Sequence, residues 1–287
     1  MTATVLVVGS LHYDIMVEAD QLPRRDETAT GSRWYPKFGG KGGNQAVAVA
    51  RAGASCRMFG AVGTDDFGTF LRGALQAGGV DDAFVATMTN VGSGMSVALV
   101  DAAGDYAATI VSGANLLVDP AGLRQPALWQ DVGLLILQNE VEESLNLAAA
   151  AEARRRGIRT LLNAAPARQL SDAFLPLIDV LVVNAVEAEM MGGSPVSSLS
   201  SAAAAARRLS DRFATVIVTA GSLGLAAVLP GDGALELPAE SVKVVSSHGA
   251  GDAFIGALGA ALVRDVPLRE ALQGASHAAA LHVSASG

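Results

Sequence analysis

Short runs rich in valine, isoleucine and leucine recur along the chain at residues 5–8, 133–137, 160–163, 180–183 and 215–219, and the intervals between the later ones carry a different pattern. Residues 145–156, 173–177 and 200–212 mix alanine and leucine with charged side chains, which suits helices. Strands alternating with helices predict a largely parallel sheet covered on both faces, an α/β fold of doubly wound type between helix layers.

Two regions break the rhythm. Residues 11–37 hold alternating and polar stretches with a turn signal at 23–26, and residues 92–111 hold two strand patterns, 95–100 and 106–111, joined around Ala103 and Gly104. Together they predict a small antiparallel flap on the main sheet, the alternative being edge strands of that sheet. Residues 44–52 read as a helix stopped at Gly53, and 69–76 as another ending near Gly78 and Gly79. Ser200 or Ser201 is placed to cap the helix that follows the serine-rich stretch 194–201. Nothing reads as an internal repeat or long linker, so residues 1–287 form one predicted domain.

A chain of 287 residues is long enough for one large core. The lone cysteine, Cys56, excludes an internal disulfide and suits a reducing cytoplasm. The apolar start of the chain breaks at Gly9 and Ser10 and reads as a core strand without a basic leader. No stretch approaches the ~20 unbroken apolar residues of a membrane span. A formal charge of -8 and an aromatic content of 5% argue against nucleic-acid binding.

Two glycine-rich segments carry candidate chemistry. Ser247-His248-Gly249-Ala250-Gly251-Asp252 precedes the small, apolar run 253–262 and follows a predicted strand at 242–245. If Gly249, Ala250 and Gly251 turn into a helix, their N–H groups converge on one point suited to a phosphoryl group, with Asp252 beside it as a base; the plainer reading is an N-terminal aspartate cap. The second segment, Gly39-Gly40-Lys41-Gly42-Gly43-Asn44, lacks the spacing of a Walker loop or a dinucleotide fingerprint. Its glycines permit close approach of a ligand, and Lys41 and Asn44 offer hydrogen bonds to a polyhydroxylated one, the alternative being a flexible turn with a solvated lysine.

These segments, taken in order with others, resemble the ribokinase-like (PfkB-type) family of carbohydrate and nucleoside kinases over almost the whole chain. The links are Gly9-Ser10 with Asp14, the segment 39–44, Gly113-Ala114-Asn115, Gln138-Asn139-Glu140, Asn163 with Ala165-Pro166-Ala167-Arg168, Asn184 with Glu187, the run from Thr219 to Gly224, and Gly249-Ala250-Gly251-Asp252. The resemblance implies a β-lid over the sugar, formed by about 11–37 and 92–111, which in such kinases often makes a dimer contact. It implies transfer of the γ-phosphoryl group of ATP to a small sugar, ribose to ribose 5-phosphate first, with another pentose or ketose, or a nucleoside or pseudouridine, as alternatives and an inactive sugar-binding protein behind them.

By the same resemblance Asp252 is the catalytic base and Gly249, Ala250 and Gly251 form the anion hole. His12, Asp14, Gly40, Lys41, Asn44 and Glu140 meet the sugar. Asn184, Thr219, Gly221, Ser222, Gly224 and His277 meet the nucleotide, and Asn184 and Glu187 organise Mg2+ through water. Asn184 followed three residues later by Glu187 is equally the pattern of a capping box. Three departures stand out. His12 replaces an asparagine and Tyr13 a common alanine, which puts the identity of the sugar in play, and Ser246 replaces the aspartate of a monovalent-cation loop, which predicts weaker activation by potassium.

Overall fold

The computed structural model describes residues 3–284 apart from Gly104 and Asp232. Seven strands of a nine-stranded sheet run parallel: β1 (Thr4–Val8), β4 (Cys56–Gly63), β5 (Asp81–Met88), β8 (Val132–Gln138), β9 (Arg159–Asn163), β10 (Val180–Asn184) and β11 (Thr215–Thr219). The antiparallel strands β12 (Gly224–Val228) and β13 (Ala234–Pro238) finish one edge. The order is β13-β12-β11-β10-β9-β8-β1-β4-β5. From β1 the chain winds outward to β5, then returns to the other side of β1 with β8. The crevice at such a reversal, outside the carboxyl ends of the strands, is where open α/β sheets bind ligands.

Each central strand feeds both cores. Leu6 and Val8 of β1 and Leu135 and Leu137 of β8 pack under α3 (Glu143–Arg155), α4 (Ala185–Met190) and α5 (Leu199–Leu209). Val5, Val7, Leu134 and Ile136 face α1 (Lys41–Arg51), α2 (Asp66–Ala77), α6 (Ala250–Leu262) and α7 (Leu268–Ser284). Burial on both sides explains the unbroken apolar runs, each fully buried Val or Leu contributing about 1.5–3 kcal/mol. Among the described residues no helix is long and apolar enough to cross a membrane.

The two irregular regions form a separate four-stranded sheet in the order β3-β2-β6-β7, with β2 (His12–Ala19), β3 (Gly31–Gly39), β6 (Met95–Asp101) and β7 (Tyr106–Val111). It is not wholly antiparallel as predicted, because β2 and β6 pair in parallel. Both follow parallel strands of the main sheet, β1 and β5, leave it at the same carboxyl end, and therefore run the same way. The predicted turn falls at Ala103 and Gly104, the latter outside the described residues.

Several boundaries differ from expectation. The stretch 242–245 forms no strand, since it runs past the sheet and is tied instead to the end of α7 by a bond from Val245 N to Val283 O of 2.7 Å. Residues 173–177 hold only a 3-10 turn, Leu175–Leu177, with Pro176 in it to stop an α-helix. Ser198, rather than Ser200 or Ser201, caps α5, accepting from Ser201 N in a reciprocal box. Helix α1 starts at Lys41, not Asn44, so half of the glycine motif is helical.

Candidate active site

The carboxyl ends of β1 and β8 converge on the amino end of α1. Ser10 O accepts from Gly43 N at 2.9 Å and Glu140 Oε2 accepts from Lys41 N at 2.7 Å, while Ser10 Oγ donates to the same Glu140 oxygen. These contacts satisfy donors that a helix start leaves unpaired. The glycines of the motif serve this packing. Gly40 holds φ at 84°, and a Cβ on Gly42 would lie 2.6 Å from Ser10 N. The close approach they permit is therefore to the protein's own backbone at residues 9–12.

Helix α6 begins with Gly249 in the left-handed conformation at φ 81°, followed by Ala250, Gly251 and then Asp252 in the first turn. Ala250 N makes a long 3.4 Å bond to Ser247 O, whereas the N–H groups of Gly251 and Asp252 find no protein acceptor among the described residues. A helix start with free donors is a ready anion site. The turn is braced from α7: His282 Nε2 lies 2.9 Å from the His248 carbonyl, and a Cβ on Gly249 would fall 2.8 Å from that same nitrogen.

Asp252 Oδ2 accepts from Asn44 Nδ2 at 3.3 Å and Oδ1 from Gln45 Nε2 at 3.0 Å. Burial pushes its pKa above the ordinary carboxylate value, against the pull of Lys41 and of the two amides. Asp252 and Gly249 stand between two cavities. One, of about 120 Å³, is lined by Lys41, Asn163, Asn184, Glu187, Thr219 and Gly251; the other, of about 600 Å³, by Lys37, Phe38, Asn44, His248 and residues of α1, α6 and α7.

The small sheet supplies the remaining predicted sugar contacts. Asp14 Oδ1 accepts from Ser96 Oγ at 2.5 Å, and Asp14 sits in register with Lys37 on β3. Burial raises the Asp14 pKa and lowers that of Lys37, each thus pushed toward its neutral form. His12 is 4% exposed, with Nδ1 3.9 Å from Glu140 Oε2 and Nε2 without a partner among the described residues. Gly94 makes room for that ring, since a Cβ there would lie 2.6 Å from His12 Cδ2.

Asn184 and Glu187 form the complete capping box of α4: Asn184 Oδ1 accepts from Glu187 N at 2.8 Å and Glu187 Oε2 accepts from Asn184 N at 2.9 Å. Both also line the smaller cavity, so capping and cavity-lining coincide. Burial raises the Glu187 pKa and Lys41 opposes it. Thr219 lines the same cavity, and Gly221 and Ser222 are exposed on the turn after β11. A Cβ on Gly224 would meet Ala239 N at 2.6 Å, so this glycine is required by its own sheet edge. His277 lies outside both cavities, its Nδ1 2.9 Å from Glu240 Oε2.

Residues not anticipated include Gln45, Ser96, Lys37 and His248. For Gln45 a signal existed: a long polar side chain next to Asn44 at the head of an alanine- and valine-rich helix. Ser96 carried none, because its role depends on which strand pairs with β2.

A model of the pfkB family of carbohydrate kinases matches residues 2–287. The chain is 34% identical over 291 residues to ribokinase of Mus musculus, covering 99% of this chain and 90% of that one. It is 32% identical over 286 residues to deoxyribokinase of Salmonella typhi, covering 99% and 93%. Among solved structures, Arabidopsis thaliana ribokinase complexed with ribose and ATP superposes with a TM-score of 0.92 at 28% identity, covering 100% of this chain and 94% of that one.

Proposed function

Because the chain belongs to the pfkB family of carbohydrate kinases, an ATP-dependent sugar kinase activity is its premise, and we propose that the sugar is ribose and the product ribose 5-phosphate. The observation that carries the reading is Asp252 itself, a carboxylate beside free helix N–H donors at the junction of two cavities. In this reading Asp252 accepts the proton of the sugar hydroxyl, and the N–H groups around Gly251, at the Gly249-Ala250-Gly251 turn, hold the equatorial oxygens of the transferring group. A raised pKa makes the base a better match to proton transfer near neutral pH.

Lys41 faces the same cavity as Glu187 and Asp252, where a cation offsets phosphate charge. ATP lies along Asn184, Thr219, Gly221, Ser222 and Gly224 toward His277. Asn184 and Glu187 fit an indirect magnesium site: the metal prefers oxygen donors, keeps waters and needs few carboxylates, and of Glu187 only Oε2 is engaged among the described residues. Bound there, magnesium would neutralise charge on the phosphates.

His12, Asp14, Gly40, Asn44 and Glu140 face the sugar, with the four-stranded sheet as a lid that excludes water as it closes. Trp34 on β3 and Ile110 on β7, 64% and 57% exposed, stand on opposite faces of that sheet, and this exposed apolar surface suits a homodimer contact. The buried Cys56 suits action in the cytoplasm. Ser246 offers the cation loop no carboxylate, which supports weak potassium activation. Deoxyribose is the second acceptor to weigh, because a deoxyribokinase is as similar as several ribokinases and the departure at His12 lies among the sugar contacts.

The test is a coupled ADP-release assay across ribose, deoxyribose, ketoses and nucleosides, with product identification, and with potassium exchanged for sodium at constant ionic strength. Ribose with the highest kcat/KM and a 5-phosphate product supports the reading. A nucleoside or ketose well ahead of ribose overturns it.

A further inference from the structure

Asp252 is gripped from one side by a chain of buried amides whose direction is set by the main chain. Asn163 Nδ2 donates to the Val182 carbonyl at 3.3 Å, and that carbonyl is fixed by its own bond from Ala164 N at 3.0 Å. Asn163 must therefore present Oδ1 on its other side, where it accepts from Gln45 Nε2 at 2.9 Å. The Gln45 oxygen in turn accepts from Gln138 Nε2 at 2.8 Å. The remaining N–H of Gln45 reaches Asp252 Oδ1 at 3.0 Å. Gln45 and Gln138 are both fully buried.

A flipped Gln45 amide would set its oxygen against Asn163 Oδ1 and Asp252 Oδ1 and its nitrogen against Gln138 Nε2. Three bonds would become three like-with-like contacts in a fully buried site. The N–H toward Asp252 is thus permanent. An oxygen facing a fixed donor keeps its acceptor role and is a poor place for a proton.

We infer that Gln45 is a positioning residue that reserves Oδ1 as an acceptor and leaves Oδ2 as the atom that takes the substrate proton. The inference rests on the reading of Asp252 as the base. As the sugar hydroxyl oxygen bonds to the γ-phosphorus, the bond to the β–γ bridging oxygen breaks and its electron pair leaves with ADP. The hydroxyl proton passes to Oδ2, which among the described residues is held only by the longer 3.3 Å bond from Asn44 on the side of the larger cavity.

The charged and titratable groups around Asp252 are Lys41 from α1, Glu140 after β8, His248 in the turn before α6, Glu187 across the smaller cavity, and Lys37 of β3, Arg51 of α1 and His282 of α7 along the larger one. Replacing Gln45 leaves all of them in place. It removes a donor that favours the carboxylate, so the acid limb of the kcat–pH profile should move to higher pH.

The experiment measures kcat over pH for Gln45→Met and Gln138→Met beside Asp252→Asn, with folding checked by circular dichroism. Gln45→Met should lose about tenfold or more in kcat at neutral pH with little change in KM for ATP, and its acid limb should rise. Gln138→Met, which does not touch Asp252, should move the limb the same way by less. A folded Gln45→Met with an unmoved limb overturns the inference, whatever its kcat. Should that variant not fold, an unmoved limb in Gln138→Met does so. Near-normal turnover in Asp252→Asn instead removes the base reading, a separate outcome.

Discussion

Tyr13 of β2 stacks on Phe67 of α2, ring centroids 4.1 Å apart and planes 8° from parallel, while Phe70 meets the same ring edge-on at 4.8 Å. The small sheet is thereby fastened to a helix of the main domain one residue before Asp14.

If the four-stranded sheet closes over the sugar, this aromatic contact stabilises closure. Such a pair contributes about 0.5–1.5 kcal/mol beyond area burial, so Tyr13→Ala should raise KM for the sugar by about fivefold and increase sugar-independent ATP hydrolysis. Steady-state kinetics with and without sugar checks this. Unchanged values on both counts would show that the stack has no part in closure.

Gly39 lies against the Asp14 carboxylate, and a Cβ there would fall 2.6 Å from Asp14 Cγ. Gly39→Ala should displace that carboxylate and lower kcat/KM for the sugar by about 10- to 100-fold, with KM for ATP little changed. Equal losses toward both substrates would argue for general damage to the fold instead.

Burial raises the Asp252 pKa, and the sign of its linkage follows. Its folded-state pKa lies above the unfolded value of about 3.8, so its contribution to stability is fully present below that value and lost as pH rises through the folded pKa. Asp252→Asn should therefore melt higher than the parent at pH 7–8 while losing about 10²-fold or more in turnover, the gap in Tm closing as pH falls. Each kcal/mol moves Tm by about 2–4 °C in a large domain. Asp14 and Glu187 are raised in the same direction and cancel in the difference. A variant no more stable at pH 8 than at pH 4, relative to the parent, would contradict this.

His12 Nε2 is buried without a partner among the described residues, and a buried polar atom of that kind discriminates among ligands that do or do not satisfy it. His12→Asn should change the ratio of kcat/KM between ribose and deoxyribose by about tenfold while leaving ATP dependence alone. An unaltered ranking of all productive sugars would make the substitution neutral.

The α/β architecture was legible because the strands of the main sheet are buried on both faces and carry unbroken apolar runs. Strands β4 and β5 were not: glycines interrupt β4, and β5 lies at the edge with polar positions such as Asp81 and Asp82. The loop before α6 misled for a related reason, since Val244 and Val245 look like strand residues yet remain exposed. At the site, Asp252 and the two glycine motifs were readable as local sequence. The relay from Val182 through Asn163 and Gln45 to Asp252 was not, because it joins β10, β9, α1 and α6, and amide direction is a property of packing alone.

The brace from His282 and Val283 to the turn at His248 has a consequence for the life of the chain. The candidate site opens with Gly9 and Ser10, yet the turn that holds Asp252 is tied to residues 282 and 283. A chain clipped before residue 282 should therefore keep its sheet while losing much of its turnover, because the turn at His248 has lost its brace.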